Sequence, residues 1–293
     1  MSRERRGIGP SHDGADQREA GVAIRGLRAL RDGSLAFKLL NRLSRVHYVP
    51  SPEVAVDRFL AEHYPEGLWK NLSPEARRVW LQFAPVFEEC QIRNIAYVGA
   101  HIGATALLLD EAFPGREFLL LEPAPAVFEM LVSNVGARPN MRCVNAAAGE
   151  EEDELEMLVD DGYPAANSLL PYEPIALKEF PVLGTRQTRV RVRVTPLDDL
   201  VVGWGTGAVD MLVMDVQGYE DAVLRGASRV LQACRVVMSE LNLVPLYAGS
   251  STFASVYEAL VTRGFTLRYL LKPLTGRSQR VLQVDGLFVR ERQ

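Results

Sequence analysis

An apolar run through Ile92, Ile95 and Val98 ends at Gly99-Ala100-His101-Ile102-Gly103, and an Ala/Leu-rich segment of helical character follows. That order is the local code for a strand turning into a helix around a bound small molecule. Glycine stands where backbone must approach a ligand more closely than a side chain permits, and the helix start behind it offers unpaired N–H groups. Glu122 closes the next apolar run, Phe118-Leu119-Leu120-Leu121, about twenty residues further on. A carboxylate at the tip of a second strand is placed to accept hydrogen bonds from ribose hydroxyls.

From residue 92 the pattern alternates strand and helix. It predicts strands at 94–98, 117–121, 141–145, 210–214 and 235–240, with helices near 103–112, 124–135, 219–231 and 251–263. Repeated units of this kind make a parallel sheet covered by helices on both faces, with ligands at the carboxyl ends of the strands. Two final runs, Phe265–Leu271 and Val281–Arg290, are joined by Lys272–Ser278. That connection is too short for a crossover helix, so the two pair antiparallel. A parallel sheet ending in such a hairpin resembles that of class I methyltransferases more than that of a dehydrogenase.

Ahead of this domain, residues 1–20 are polar and predict a disordered tail. Residues 21–90 predict a helical cap beside the main domain at 91–293. Its apolar positions Ile24, Leu27, Leu30, Leu39, Leu40 and Leu43 alternate with arginines in an amphipathic pattern that suits packing on the domain or lying on an anionic membrane. Ser51-Pro52-Glu53 and Ser73-Pro74-Glu75 each place a capping residue before a proline at the first helical position.

The 293 residues carry a net charge of −4, which gives no electrostatic case for nucleic acid. Cys90, Cys143 and Cys234 are distant and odd in number, a pattern of reduced thiols rather than of disulfides or a metal cluster. His12, His47 and His63 form no ligand pattern with them, so no metal site is expected. The sequence shows no secretory or membrane-spanning run, and a cytoplasmic location follows as an expectation. The acidic run Glu150–Glu154 reads as solvated surface. The alternating Arg189-Val190-Arg191-Val192-Arg193-Val194 reads as a strand whose basic face meets solvent or an anionic substrate.

Four stations fall at successive strand ends: Gly99–Gly103, Glu122, Asn145-Ala146-Ala147 and Asp215–Glu220. Here the chain resembles the FkbM family of S-adenosylmethionine-dependent methyltransferases. The resemblance rests on Gly99-Ala100-His101-Ile102-Gly103, Glu122-Pro123, Leu197-Asp198-Asp199 and Asp215-Val216-Gln217-Gly218-Tyr219-Glu220, with Leu224-Arg225-Gly226-Ala227 and Ser239-Glu240-Leu241 later. It implies a class I α/β fold, S-adenosylmethionine as cofactor, and methyl transfer to a hydroxyl of a sugar, polyketide or other secondary metabolite. It further implies Tyr97, Gly99, Ala100, His101, Gly103, Glu122, Pro123, Ala146, Ser168 and Asp215 as cofactor contacts. Three positions depart from the family: Tyr97 stands where an acidic residue is usual, Met214 where lysine is frequent, and Gln217 where glutamate is frequent.

Methyl transfer from a sulfonium is an in-line displacement that needs alignment and a base or polarising contact for the hydroxyl. Asp215 at the fourth strand's tip is the first candidate base, and it reads alternatively as a ligand for the cofactor's amino group or a helix cap. Glu240, ending the fifth strand, faces the same edge. His101 titrates in a useful range and is a third candidate, unless it only shapes the turn. A small-molecule acceptor is the expected partner, with a homo-oligomer open. Two further readings stay open: a nicotinamide-dependent oxidoreductase, since Glu122 suits a ribose there too, and a non-catalytic cofactor-binding protein of the same fold.

Overall fold

The computed structural model describes residues 73–136, 138–204 and 208–290. The tail at 1–20, the basic helical segment, the Ser51 cap and the three N-terminal histidines lie outside the described residues. The expected cap at Ser73 is present. Helix α1 (Pro74–Cys90) starts with the Ser73 hydroxyl accepting the Ala76 amide at 3.2 Å and Pro74 at its first position, a cap worth about 1 kcal/mol. Its inner face buries Ala76, Phe83, Ala84, Val86 and Phe87, and Phe87 stacks on Phe113 at 3.9 Å.

The domain then runs β1 (Asn94–Val98), α2 (Ala104–Ala112), β2 (Glu117–Leu121), α3 (Pro125–Val135), β3 (Met141–Val144), β4 (Ala147–Gly149), β5 (Asp153–Asp160), α4 (Pro174–Glu179) and β6 (Gln187–Pro196). It continues with α5 (Leu197–Leu200), β7 (Met211–Met214), α6 (Glu220–Arg225), α7 (Ser228–Ala233), β8 (Val236–Asn242), α8 (Phe253–Val261), β9 (Phe265–Thr275) and β10 (Val281–Arg290). The main sheet has the order β3-β2-β1-β7-β8-β10-β9. Strands β1, β2, β3, β7 and β8 are parallel to one another, and β10 inserts antiparallel between β8 and β9. This is the class I methyltransferase sheet. Its central strands are almost wholly apolar because helices cover both faces.

Two elements differ from expectation. The helix predicted at 219–231 is two short helices, α6 and α7, broken at Gly226. A Cβ on Gly226 would sit 1.7 Å from the Gly149 carbonyl oxygen, so backbone lies on backbone at the break and only glycine fits there. Asp198 caps the second piece, accepting the Arg229 and Val230 amides at 2.8 Å each. The hairpin connection is also shorter than predicted, since β9 continues through Pro273 to Thr275. Proline is tolerated there because β9 is the sheet's edge strand.

A second sheet, β4-β6-β5, was only half visible in the sequence. Its buried face sets Met157 and Val192 against Ala124 and Val127. On its outer face the arginines of β6 lie across from acidic residues of β5, Arg193 opposite Glu154 and Arg191 opposite Glu156. Arg189 pairs with Glu156 at 2.9 Å. The end of the acidic run and the basic strand thus lie side by side as one solvated ladder of opposite charges.

Candidate functional site

The sheet's order reverses between β1 and β7, whose last paired residues are Val98 and Met214. At such a switch point the loops diverge and leave a crevice. Here it is a cleft of about 860 Å³, counted to its open mouth.

Gly99 binds the two strand ends together. Its φ is +80°, and a Cβ would lie 1.9 Å from the Asp215 carbonyl oxygen. The Asp215 amide donates to the Val98 carbonyl at 3.0 Å beside it. The turn's own amides are mostly consumed internally. Gly99 and Ala100 both donate to the Leu121 carbonyl, at 3.0 and 2.8 Å, and Gly103 donates to Ala100 at 2.9 Å. His101 donates to Glu122 Oε2 at 3.0 Å. The turn is therefore built to hold a shape, not to present a row of loop N–H groups to a pyrophosphate.

Glu122 is 5% exposed and lines the cleft. Its second oxygen accepts the Ala124 amide at 2.9 Å. Burial pushes its carboxyl up to about 7, against the pull of those two backbone donors. The Asn145 amide secures the strand end behind it, donating to the carbonyls of Glu122 at 2.8 Å and Pro123 at 3.0 Å. Pro123, Ala146, Ala147, Ala148 and Met157 continue the wall as an apolar surface.

Tyr97, Gly99, Ala100, His101 and Asp215 also line the cleft. Burial, then the charge of Asp215, holds the Tyr97 hydroxyl well above the usual phenol range, so it is a neutral donor. His101 has a left-handed backbone (φ +50°) and a buried Nε2 with no partner within the protein. Burial lowers its pKa, which leaves the imidazole neutral at pH 7 with an acceptor to offer. Asp215 projects into the cleft and is exposed to solvent there; the surrounding protein raises its carboxyl and a bond from the Gln217 amide lowers it.

Three predicted residues sit elsewhere. Gly103 caps α2 behind the turn, where a Cβ would meet Leu131 at 2.8 Å. Ser168 is buried outside the cleft, its hydroxyl donating to the Gln217 carbonyl at 2.8 Å while its neighbours Asn167 and Leu169 reach the wall. Glu240 stands one residue back from the cleft and joins it through Gln217. Glu220 is fully buried and accepts the Gly218 amide at 3.2 Å, closing the turn before α6. Met157 and Tyr219 were not predicted as wall residues. For Met157 the signal was present in the period-two alternation Leu155-Met157-Val159.

The Methyltransferase FkbM domain matches residues 98–267 of the sequence, more than half of the chain and every strand end that builds the cleft. The chain belongs to the FkbM methyltransferase family. The 2-O-methyltransferase NoeI of Sinorhizobium fredii is 22% identical over 178 residues, covering 56% of this chain and 69% of its own. Among solved structures, fibrillarin of Aeropyrum pernix with bound S-adenosyl-L-methionine is 14% identical, covers 67% of this chain and 66% of its own, and gives a TM-score of 0.37. The precorrin-6y C5,15-methyltransferase of Geobacter metallireducens is 11% identical over 75% of this chain and 92% of its own, with a TM-score of 0.40.

The donor set fits S-adenosylmethionine, the cofactor of this family. Glu122 is a buried acceptor at the end of β2, able to receive hydroxyl donors, and the alanines and Met157 give the cleft an apolar wall that a planar base can lie on. Among the described residues that line the cleft are two carboxylates, Glu122 and Asp215, and neither lysine nor arginine. That charge suits a sulfonium cation and opposes the pyrophosphate of a nicotinamide dinucleotide.

Proposed function

We propose that the protein is an S-adenosylmethionine-dependent O-methyltransferase acting on a hydroxyl of a sugar, polyketide or other secondary metabolite. The observation that carries this reading is Asp215, a carboxylate open to the cleft at the end of β7, beside the turn that Gly99 and Glu122 hold in place. The likeness to a 2-O-methyltransferase supports oxygen as the atom methylated.

Bound S-adenosylmethionine supplies an electrophilic methyl group on a sulfonium. The protein's residues supply position and a proton acceptor. Glu122 accepts the ribose hydroxyls, and the apolar wall holds the base. Tyr97, in place of the family's usual acid, offers a neutral hydroxyl toward the methionine end. Asp215 would take the acceptor's hydroxyl proton as the C–O bond forms and the methyl's C–S bond breaks, with S-adenosylhomocysteine as the leaving group. Neutral His101 lies on the same side and is the alternative acceptor for that proton. Such a reaction draws on alignment more than on covalent help from the protein.

The test is methyl transfer from 13C-labelled S-adenosylmethionine to a panel of hydroxylated sugars and polyketide alcohols. A labelled methoxy product, abolished in Asp215→Asn with cofactor binding retained, is expected. Label on nitrogen or carbon overturns the assignment of oxygen, and full activity in Asp215→Asn removes Asp215 as the base and passes the role to His101.

A further inference from the structure

Gln217 occupies a position more heavily secured than a cleft-lining glutamine needs. Its backbone is left-handed (φ +54°), a conformation a non-glycine residue adopts at a cost. The Ser168 hydroxyl donates to its carbonyl at 2.8 Å. At the far end of the side chain, the Tyr247 hydroxyl donates to Oε1 at 2.6 Å. Tyr247 is itself buried among Ala176, Leu246 and Leu282. The Tyr247 hydroxyl, whose other acceptor is the Ala166 carbonyl at 3.4 Å, gives its shorter bond to Oε1, and Nε2 is turned toward carboxylates. It donates to Asp215 Oδ1 at 2.6 Å, and reaches Glu240 Oε1 and Oε2 at 3.3 and 3.2 Å.

An amide N–H rewards an oxygen that carries charge, and a short bond rewards it more than a long one. We propose that Gln217, anchored by Tyr247, is a positioning residue that keeps Asp215 ionised while Glu240 retains its proton. This rests on the reading of Asp215 as the base, and it explains how a glutamine serves where the family often has glutamate. A glutamate there would add a further charge and no donor. The amide instead sets the order in which two existing carboxylates ionise.

The surroundings favour the same order. Glu240 is pushed well above the usual range by burial and then by Asp215, Glu220 and Asp285. Asp285 is partly neutralised by Lys272, 3.4 Å away on β9. Asp215 is raised by burial but lowered by Gln217, Lys272 and His101. Tyr97 and Glu122 face it from β1 and β2, the first neutral and the second itself held up near 7.

The test needs no acceptor. Side-chain carboxyl resonances of 13C-labelled full-length protein are followed through a pH titration, with Asp215→Asn and Glu240→Gln assigning the two signals. In the wild type Asp215 is expected to ionise at lower pH than Glu240. In Gln217→Leu the Asp215 midpoint rises by about one pH unit, and more than that of Glu240. Gln217→Glu, equal in size but without the donor, fails to restore it. Tyr247→Phe lies behind the cleft wall and moves the midpoint the same way by a smaller amount, and it serves if Gln217→Leu does not fold. An unmoved Asp215 midpoint in both variants, or Glu240 ionising first in the wild type, overturns the proposal. Binding of S-adenosylhomocysteine, measured on the same samples, reports separately on the methyltransferase reading, since its absence leaves the titration interpretable.

Discussion

Replacing Glu122 with alanine should separate cofactor affinity from stability, two properties most buried-site mutations damage together. The carboxyl rises from 4.5 to about 7 on folding, so once ionised it costs the ligand-free protein about 3 kcal/mol. That net cost already includes the pull of the amides of His101 and Ala124. Removal relieves the burial penalty and strands two N–H groups that face an open cleft, where water can take them. At pH 8 the variant should therefore lose no more than about 1 kcal/mol of unfolding free energy, and a gain is expected. The sign reverses no further than this: a raised carboxyl stabilises the folded state below its unfolded value and loses that contribution as pH climbs from 4.5 to about 7. The wild type should thus gain on the variant at pH 5. Cofactor affinity has no such compensation. Losing charge-assisted bonds to the ribose hydroxyls should weaken binding by about 1–3 kcal/mol, roughly 5- to 150-fold. Titration calorimetry with S-adenosylhomocysteine and urea unfolding of the same samples read both quantities. A dissociation constant within about twofold of wild type, or an unfolding loss well beyond 1 kcal/mol at pH 8, would refute the reasoning.

Further predictions address the frame around the cleft. Binding of S-adenosylhomocysteine should strengthen as pH rises through about 7, the range in which Glu122 ionises, and that dependence should vanish in Glu122→Ala. Gly99→Ala should lose about 3 kcal/mol or more by chemical denaturation, because the new Cβ meets the Asp215 carbonyl in a left-handed backbone. Asp210, at the opposite edge of the sheet, accepts the amides of Arg93 and Asn94 at 2.9 and 3.0 Å and pairs with Arg235. Asp210→Ala should cost about 3–5 kcal/mol with no change in cofactor affinity for the molecules that remain folded. Arg189→Ala, in the solvated ladder, should change stability by less than about 1 kcal/mol and leave cofactor binding untouched; a large affinity loss would return the basic strand to the site.

The parallel core was legible because strands buried on both faces read as unbroken apolar runs, and β1 and β2 fall at the predicted residues. The small second sheet was not. The alternation Leu155-Met157-Val159 follows directly on the acidic run Glu150–Glu154, which read as solvated surface, so only the basic partner strand was recognised. The break at Gly226 had a local signal in the glycine itself, while the close approach of the Gly149 carbonyl that requires glycine there is a tertiary contact. At the site, Glu122, Asp215 and the glycine turn were visible because each sits at a strand end, where topology fixes position. Ser168 and Glu240 were assigned to the ligand from their places in the chain. The structure puts both one layer behind, holding Gln217, and only side-chain geometry distinguishes a residue that lines a cleft from one that supports its wall.

The most direct measurement is equilibrium binding of S-adenosylhomocysteine to the full chain, run beside the oxidised nicotinamide dinucleotide. A cleft with Glu122 and Asp215 as its charges, and with its turn amides spent internally, predicts one saturable site for the former and none for the latter. Binding of the dinucleotide alone would contradict the account.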